Sequence, residues 1–420
     1  MIEPAVARAE AAFAALVAAS GNPPGVTRAS FSAEEQAAHD IAAAWAAELG
    51  MAVERDIAGN TTMTWAGRDR TLPRVFIGSH MDSVDHGGNF DGAAGVLAGL
   101  AAAMVLKARG VEPARDLVVM AIRAEELVWF PTPYCGSRMA FGILPTGDYA
   151  RLRRSDTGRT LAEQMREAGC DPDALAAGAK PLDPATIAAF IEPHIEQGPV
   201  LEHAGEAIGI VSGIRGNLRY RDGRIEGRWD HAGAAPREHR RDAVRAGAAL
   251  VRTLEALWDG YDAAGEDFVG TFGEFGTDPA LHGMTKVPGS VRFTLDIRSL
   301  DNDLLWRTDA ALRDAAAAIA AEYGVAIDFG EPTNAPPAIM DRALMEALAG
   351  SAAAAGVPHR TMASGAGHDC ATFAWQGVPS AMLFVRNQNG SHNPHEAMRI
   401  ADFADGVRVL AGMVEGILLS

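Results

Sequence analysis

Apolar runs alternate with alanine-rich segments over the first half of the chain. The runs PRVFIGSH (73–80) and DLVVMAIRAEE (116–126) have the length and character of buried strands. Between them, GAAGVLAGLAAAMVLKARG (92–110) has the small, apolar residues of a helix that packs closely on a sheet. This strand–helix–strand order predicts a parallel sheet with helices on its faces. Ligands bind at the carboxyl ends of strands in such sheets, and both runs end there in polar residues.

The pattern changes from about Ile214, where polar and apolar residues begin to alternate. The segment NLRYRDGRIEGRW (217–229) predicts an antiparallel pair of amphipathic strands. A helix, a strand and a second helix are then predicted, at RRDAVRAGAALVRTLEALWDG (240–260), VPGSVRFTLDIRSLD (287–301) and DNDLLWRTDAALRDAAAAIAAEYG (301–324). After about Gly330 the α/β pattern returns.

These patterns predict an α/β protein with two domains. Residues 1–213 and 330–420 are expected to form an α/β domain built on a mixed sheet, and residues 214–329 an α+β domain inserted into it. A chain of 420 residues, 48% of them hydrophobic, is long enough to bury a core in each domain.

Composition and charge limit which partners the protein binds and in which cellular compartment it is expected. A net charge of −17 argues against a nucleic acid or an anionic membrane as partner, because both select for clustered Lys and Arg. Three widely spaced cysteines fit free thiols in a reducing compartment. The alanine-rich N-terminus carries Glu3, Arg8 and Glu10, which favours a helix packed on the surface over a signal peptide. No stretch reaches the roughly 20 apolar residues that span a bilayer, so we expect a cytoplasmic protein.

Histidine and acidic residues recur where the predicted strands end. They are His80 with Asp82, Asp91, Glu125 with Glu126, His194, and His392. One such residue alone is weak evidence, because a single histidine is more often structural. Burying several of them without a cation would be costly, however. Two histidines and two carboxylates suit zinc or manganese, and a shared carboxylate can bridge two ions about 3.5–4 Å apart.

Five motifs carry a resemblance to a known family. They are GSHMDSVDHGGNFDGAAGV (78–96), AEE (124–126), PHIEQGPVLE (193–202), HAGAAP (231–236) and GSHNPHE (390–396). In this order and spacing they resemble the dinuclear-metal amidohydrolases of the M20 type, over nearly the whole chain. The similarity is greatest to the hydantoinase/carbamoylase branch, which contains N-carbamoyl-L-amino-acid amidohydrolases, β-ureidopropionases and allantoate amidohydrolases. The HIEQGPVLE segment separates this branch from the peptidases and aminoacylases of the same fold.

The resemblance implies two divalent metal ions per subunit, with zinc expected and manganese, cobalt or nickel as alternatives. It assigns His80, Asp91 and His194 to one ion. It assigns Asp91, Glu126 and His392 to the other ion, so that Asp91 bridges the two.

The resemblance also implies the catalytic groups. Glu125 would be the general base that takes a proton from the attacking water, and Asp82 would orient His80. His231 would stabilise the oxyanion in the partner subunit's site. Residues 214–329 would then be a lid and dimerisation domain of a homodimer.

Residues that match substrate-binding positions of the family point to a small substrate that carries a carboxylate. Arg298 matches a carboxylate-binding arginine, whose planar guanidinium suits a bidentate contact. Gln197 and the turn that contains Gly365, Gly367 and His368 match further positions near the substrate, and backbone N–H groups of such a turn can bind an anion.

Two departures from the family leave the substrate open. Thr285, followed by Lys286, stands where the branch has an asparagine. Trp129 and Phe130 follow the double glutamate and form either an apolar pocket wall or part of the core.

Three hypotheses follow for the function. The first is an enzyme of the EC 3.5 class that hydrolyses the C–N bond of an N-carbamoyl amino acid or related ureido acid. The second is an aminoacylase or dipeptidase on the same scaffold. The third is a non-catalytic binding protein, against which the intact base and ligand set argue.

Overall fold

The helices and strands are those of a computed structural model that describes residues 2–419. Its α-helices are α1 Glu3–Ser20, α2 Ala33–Glu48, α3 Ala93–Ala108, α4 Cys135–Ala140, α5 Asp148–Arg151, α6 Leu161–Glu167, α7 Pro172–Ala176, α8 Val200–Ala204, α9 Ala243–Ala264, α10 Asn302–Tyr323, α11 Arg342–Ala354, α12 Asp369–Trp375 and α13 Ile400–Leu419. Its strands are β1 Ala52–Arg55, β2 Thr61–Trp65, β3 Arg74–His80, β4 Leu117–Ile122, β5 Ile187–Ile195, β6 Ile208–Ile214, β7 Gly216–Glu226, β8 Asp230–His231, β9 Val269–Gly276, β10 Lys286–Val287, β11 Ser290–Ser299, β12 Ala326–Asp328, β13 Pro332–Ala335, β14 Ala338–Ile339, β15 His359–Ser364 and β16 Ser380–Val385.

The chain forms two compact units. One comprises Met1–Ser212 and Ile339–Ser420, and the other comprises Gly213–Ala338. The second unit reaches beyond residue 329, where the sequence pattern placed the boundary, because β13 pairs with β7 and so belongs to the sheet of that unit.

A mixed sheet is the centre of the first unit. Its strand order is β1-β2-β4-β3-β5-β16-β6-β14, and β15 also pairs with β6. The central strands β4, β3, β5 and β16 are parallel to one another, whereas β2 and β6 run antiparallel to their neighbours β4 and β16. The predicted α/β class with a mixed sheet is confirmed.

Helix α3 packs on this sheet unusually closely. Gly95 faces the backbone carbonyl of Pro193, and a Cβ at this position would collide with that oxygen. The apolar residues of α3 join those of α1, α13 and the strands in one buried core. Close packing fixes the start of α3, and with it the loop that carries Asp91, against the carboxyl ends of β3 and β5.

The second unit is built on an antiparallel sheet in the order β12-β7-β11-β9, with β13 also paired to β7. Helices α9 and α10 pack on it and close a separate apolar core. A two-stranded ribbon of β8 and β10 lies apart from this sheet.

The prediction of a strand pair at 217–229 is wrong, because β7 is one strand that pairs with β11 from end to end. The strand carries a β-bulge at Arg221 and Asp222. Two residues of β7 there oppose one residue of β11, between the pairs Tyr220–Leu295 and Gly223–Phe293. The ring of Phe293 fills the space beside Gly223, where a Cβ would not fit.

Within the described residues, no helix is both long and apolar enough to cross a membrane. The three cysteines, Cys135, Cys170 and Cys370, are free thiols, as the sequence predicted.

Candidate metal centre and active site

The carboxyl ends of the central parallel strands bring the predicted ligands together. His80 is the last residue of β3, and His194 lies near the end of the adjacent strand β5. Asp91 stands one residue before Gly92, the N-cap of α3. Gly92 has a positive φ of 64° and lies against the ring of His80, so that a side chain would not fit there. The backbone N–H of Gly92 lies 3.2 Å from His194 Nε2.

Three buried groups form the first cluster. Asp91 Oδ1 lies 3.1 Å from His194 Nε2 and 3.6 Å from His80 Nε2. The two Nε2 atoms lie 3.4 Å from each other. The structure thus brings together the three groups that the family resemblance assigns to one metal ion.

The other oxygen of Asp91 belongs to a second cluster. Asp91 Oδ2 lies 3.3 Å from His392 Nε2, which in turn lies 3.5 Å from Glu126 Oε1. Ser391 Oγ and Gln197 Nε2 also donate to Asp91 Oδ2, at 2.8 and 2.9 Å. One carboxylate therefore joins both clusters, which is the geometry expected of a bridging ligand.

The donor set fits divalent cations. Within residues 2–419, Asp91 Oδ1 is buried and has no hydrogen-bond partner, although it faces two imidazole nitrogens. An orphaned carboxylate oxygen among imidazoles is costly unless a cation satisfies it. Burial alone would raise the pKa of Asp91, but His194, His392 and His80 together hold it well below its usual range. Imidazole nitrogen and carboxylate oxygen are ordinary ligands of zinc and manganese.

A third group of possible ligands, Glu192, His194 and His368, lies beside the first. Its carboxylate is already engaged, because Glu192 accepts hydrogen bonds from Ser79 Oγ at 2.9 Å and from the Cys370 backbone N–H at 2.7 Å. His368 Nε2 lies 3.0 Å from Ser364 Oγ. These contacts account for the third group without a metal ion.

Asp82 links the histidine of one strand to the double glutamate of the next. Its Oδ1 accepts the backbone N–H of Glu125 at 3.1 Å, and its Oδ2 accepts that of Glu126 at 3.2 Å. Ser30 Oγ also donates to Oδ2, at 2.8 Å. His80 Nδ1 lies 3.1 Å from the backbone carbonyl of Asp82 and 3.4 Å from its carboxylate. One buried side chain therefore positions a proposed ligand and the proposed base.

A cavity of about 110 Å³ lies over the two clusters. Besides the five proposed ligands, its walls are Glu125, Leu127, Pro133, Tyr134, Gln197, Ala366, Gly367 and His368. Burial raises the pKa of Glu125 well above its usual value, and the carboxyl of Glu126 adds to the effect. A carboxyl group of raised pKa, next to metal-type ligands in a cavity, is suited to accept a proton.

The chain matches the model of "Peptidase family M20/M25/M40" over residues 76–416. The chain belongs to this family. An N-carbamoyl-L-amino acid amidohydrolase of Geobacillus stearothermophilus is 37% identical over 387 residues, which cover 92% of each chain. An allantoate amidohydrolase of Escherichia coli is 35% identical over 88% of this chain and 87% of its own. A crystal structure of an amidase of the hydantoinase/carbamoylase family from Burkholderia multivorans superposes with a TM-score of 0.90 at 32% identity, over 99% of this chain and 98% of that one. The predicted M20 resemblance is confirmed.

The predicted substrate-binding residues of this M20 protein fall into both units. Gln197, Gly367 and His368 line the cavity of the first unit. In the second unit, the backbone carbonyl of Thr285 accepts the N–H of Ala232 at 2.8 Å, directly after His231.

Two other residues of the second unit have defined partners. His231 is exposed, and its Nδ1 accepts backbone N–H groups from Gly233 and Ala234, each at 3.1 Å. Arg298 forms an ion pair with Asp296, with Nη2 and Oδ2 2.7 Å apart.

Trp129 and Phe130 belong to the core of this M20 protein. Both are buried in an apolar cluster, and Trp129 Nε1 donates to the backbone carbonyl of Ser83 at 2.7 Å. Neither lines the cavity, so the core interpretation holds and the alternative of a pocket wall does not.

Several residues that support the site were missed by sequence reasoning. Glu396 Oε1 accepts the backbone N–H groups of Phe90 and Asp91, at 2.9 and 3.2 Å. Its position at the end of the GSHNPHE motif could have indicated this role. Glu35 and Arg123 form a fully buried ion pair at 2.7 Å, and Glu35 also accepts the N–H of Ala124 at 3.0 Å. No motif marked this pair.

Proposed function

We propose that this M20 enzyme hydrolyses the C–N bond of the ureido group in an N-carbamoyl amino acid or a related ureido acid. The observation that carries the proposal is the carboxylate of Asp91, whose two oxygens join two ligand clusters beside Glu125 in one cavity. Relatives named N-carbamoyl-L-amino acid amidohydrolase and allantoate amidohydrolase, similar over most of their length, support the ureido class of substrate.

Two divalent ions per subunit fit the ligand clusters, with zinc expected and manganese, cobalt or nickel as alternatives. His80, Asp91 and His194 would hold one ion, and Asp91, Glu126 and His392 the other. Bound there, such ions polarise the attacking water and the scissile carbonyl.

Glu125 takes a proton from the attacking water at its carboxylate and returns it to the leaving nitrogen. Asp82 holds the backbone of Glu125 in place for both transfers. The amide of Gln197, directed at Asp91, lines the place where the ureido group binds, together with Gly367 and His368 of the turn that also contains Gly365.

His231 donates a hydrogen bond to the oxygen that becomes negative during the reaction. Its Nδ1 accepts two backbone N–H groups, which leaves Nε2 as the ring nitrogen that donates. In this proposal the second unit is a lid and dimerisation domain, and His231 serves the site of the partner subunit in a homodimer.

Arg298 binds the carboxylate of the substrate. Arg298 forms an ion pair with Asp296, which also accepts a hydrogen bond from Arg219 at 3.0 Å. Asp296 therefore remains paired with Arg219 when Arg298 binds the substrate. The backbone of Thr285 is hydrogen-bonded to Ala232, the residue that follows His231. The side chain of Thr285 is a shorter hydrogen-bonding group than the asparagine of related enzymes.

The enzyme acts on a small molecule rather than on nucleic acid, in keeping with its net charge of −17. Three free cysteines support a reducing compartment, and we place the enzyme in the cytoplasm.

The test is a panel of substrates offered to protein that has been loaded with each candidate metal. N-carbamoyl amino acids should yield the free amino acid together with ammonia and carbon dioxide. N-acyl amino acids and dipeptides, which would yield amine and carboxylate without ammonia, should be poor substrates. Preference for the acyl compounds would favour an aminoacylase or dipeptidase. Binding of both classes without hydrolysis would favour a non-catalytic protein.

A further inference from the structure

Apolar side chains border the cavity, and some of them are exposed. Leu127 and Val128, which follow Glu126 directly, are 51% and 43% exposed. Leu127 lines the cavity together with Pro133 and Tyr134. Single exposed leucines are common on protein surfaces, but a continuous apolar patch beside a catalytic cavity is typical of a ligand site.

Trp375 extends this patch. Its side chain is 38% exposed, and its ring centroid lies 6.4 Å from that of Tyr134. The cavity also has polar lining groups, and two of them, Gln197 and His392, lie against Asp91. Its walls therefore combine the reacting groups with the apolar side chains of Leu127 and Pro133 and the ring of Tyr134. We call Leu127, Pro133, Tyr134 and Trp375 the apolar wall.

One residue of the apolar wall, Tyr134, is fixed in place by its backbone. Tyr134 has a positive φ of 58°, and its backbone N–H donates to the carbonyl of Glu125 at 3.1 Å. Its hydroxyl rests against Gly367, where a Cβ would collide with the oxygen. A non-glycine residue in this backbone conformation needs support from its surroundings. The aromatic ring is thus held at the cavity before any ligand binds, which lowers the entropic cost of binding.

The size of the cavity limits how much of a substrate it can hold. Binding sites for small molecules usually measure about 300–1,000 Å³. A cavity of about 110 Å³ accommodates little more than the ureido group over Glu125 and the ligand clusters. The remainder of the molecule then extends past the residues that line the cavity, which include Leu127 and Tyr134.

We propose that the apolar wall binds the side chain of the substrate, and that the substrate is an N-carbamoyl amino acid with a large aliphatic or aromatic side chain. This inference rests on the proposed function and adds the substrate class. A polar ureido acid would leave hydrogen-bonding groups that face the side chains of Leu127 and Pro133 without partners, which disfavours binding.

The test compares kcat/KM for N-carbamoyl-L-leucine, N-carbamoyl-L-phenylalanine, N-carbamoylglycine, N-carbamoyl-L-aspartate and allantoate on metal-loaded protein. One methylene in an apolar pocket changes kcat/KM by about 10-fold or more. The leucine and phenylalanine compounds should therefore exceed the glycine compound by at least about 100-fold, and the aspartate compound and allantoate should be the poorest. Near-equal values, or preference for a polar substrate, would overturn the inference.

The Leu127→Ala variant tests the wall itself. It should lower the leucine-to-glycine ratio of kcat/KM by about 10-fold, because three side-chain carbons leave the wall. Leu127 is half exposed, so the variant should fold, and its metal content checks this. Leu419→Ala removes the same atoms from a leucine of similar exposure, 55%, in α13, and should leave the ratio unchanged. An unchanged ratio in Leu127→Ala would refute the assignment of the wall.

The same panel separates this inference from the proposed function. If no N-carbamoyl compound and no allantoate is hydrolysed with any of the metals, the proposed function is wrong and the inference falls with it. If N-carbamoylglycine or allantoate is the best substrate, the function stands and only the inference is wrong.

Discussion

Replacing Asp82 by asparagine should weaken metal binding and slow catalysis, although Asp82 is not a proposed ligand. Its two oxygens accept the N–H groups of Glu125 and Glu126, and Oδ2 also accepts Ser30. Asparagine keeps one of these oxygens and turns the other into an NH₂ group, so at least one buried backbone N–H loses its acceptor. Such a loss costs about 1–3 kcal/mol. Loss of a side chain that orients a ligating histidine typically lowers metal affinity about 10- to 100-fold. Expressed as a free energy of binding, this loss is similar in size to that of the hydrogen bond.

We therefore expect metal affinity to fall about 10- to 100-fold, and kcat at saturating metal to fall as well, because the backbone of Glu125 shifts. Competition with a chelating indicator measures the affinity, and initial rates measure kcat. Asp116→Asn is the matched control. Like Asp82, Asp116 is buried and accepts a backbone N–H, that of Gly67, at 2.9 Å. It lies before β4, at the other end of that strand from Glu125 and Glu126. Its variant should lose stability and keep its metal affinity. Wild-type affinity and kcat in Asp82→Asn would refute the role given to Asp82.

Three further predictions concern the base, the lid and the buried ion pair. Glu125→Gln should keep the bound metal and lower kcat by about 100-fold or more, whereas Glu126→Ala should lose metal. Equal metal content in the two variants would contradict the assignment of Glu125 as base and Glu126 as ligand. His231→Ala and Glu125→Gln should each be nearly inactive. Mixed dimers of the two variants, verified with differently tagged subunits, should recover activity at about one site per dimer. If no activity returned, His231 would not serve the active site of the partner subunit. Glu35→Gln should lower the free energy of unfolding by about 3 kcal/mol, because Arg123 stays buried without its charge partner. The midpoint of thermal unfolding should fall accordingly. An unchanged midpoint would show that the ion pair contributes little to stability.

The convergence of the proposed ligands was predictable from a simple pattern, whereas their assignment to two ions came from the family resemblance. Polar residues at the ends of apolar runs, such as His80 after β3 and His194 at the end of β5, meet at one edge of a parallel sheet. The position of Asp91 before a small-residue helix follows from the same strand–helix–strand unit. The α/β class was predictable for the same reason.

What the sequence left open depends on packing between distant segments. The bulge in β7 needs the ring of Phe293, some 70 residues away, and no local signal distinguishes it from a turn. The burial of Trp129 depends on the carbonyl of Ser83, and the placement of Tyr134 on the absence of a side chain at Gly367. Such contacts do not appear as motifs or periodicity, so sequence reasoning named Trp129 without placing it and did not single out Phe293 or Tyr134.

Metal dependence is the central claim, and titration of metal-free protein tests it most directly. Protein stripped by a chelator should not hydrolyse N-carbamoyl amino acids, and Zn, Mn, Co or Ni should restore hydrolysis as about two equivalents per chain are bound. Asp91→Asn, which changes the carboxylate shared by both clusters, should bind metal weakly at both sites and stay inactive. Full activity of rigorously metal-free protein would contradict the account.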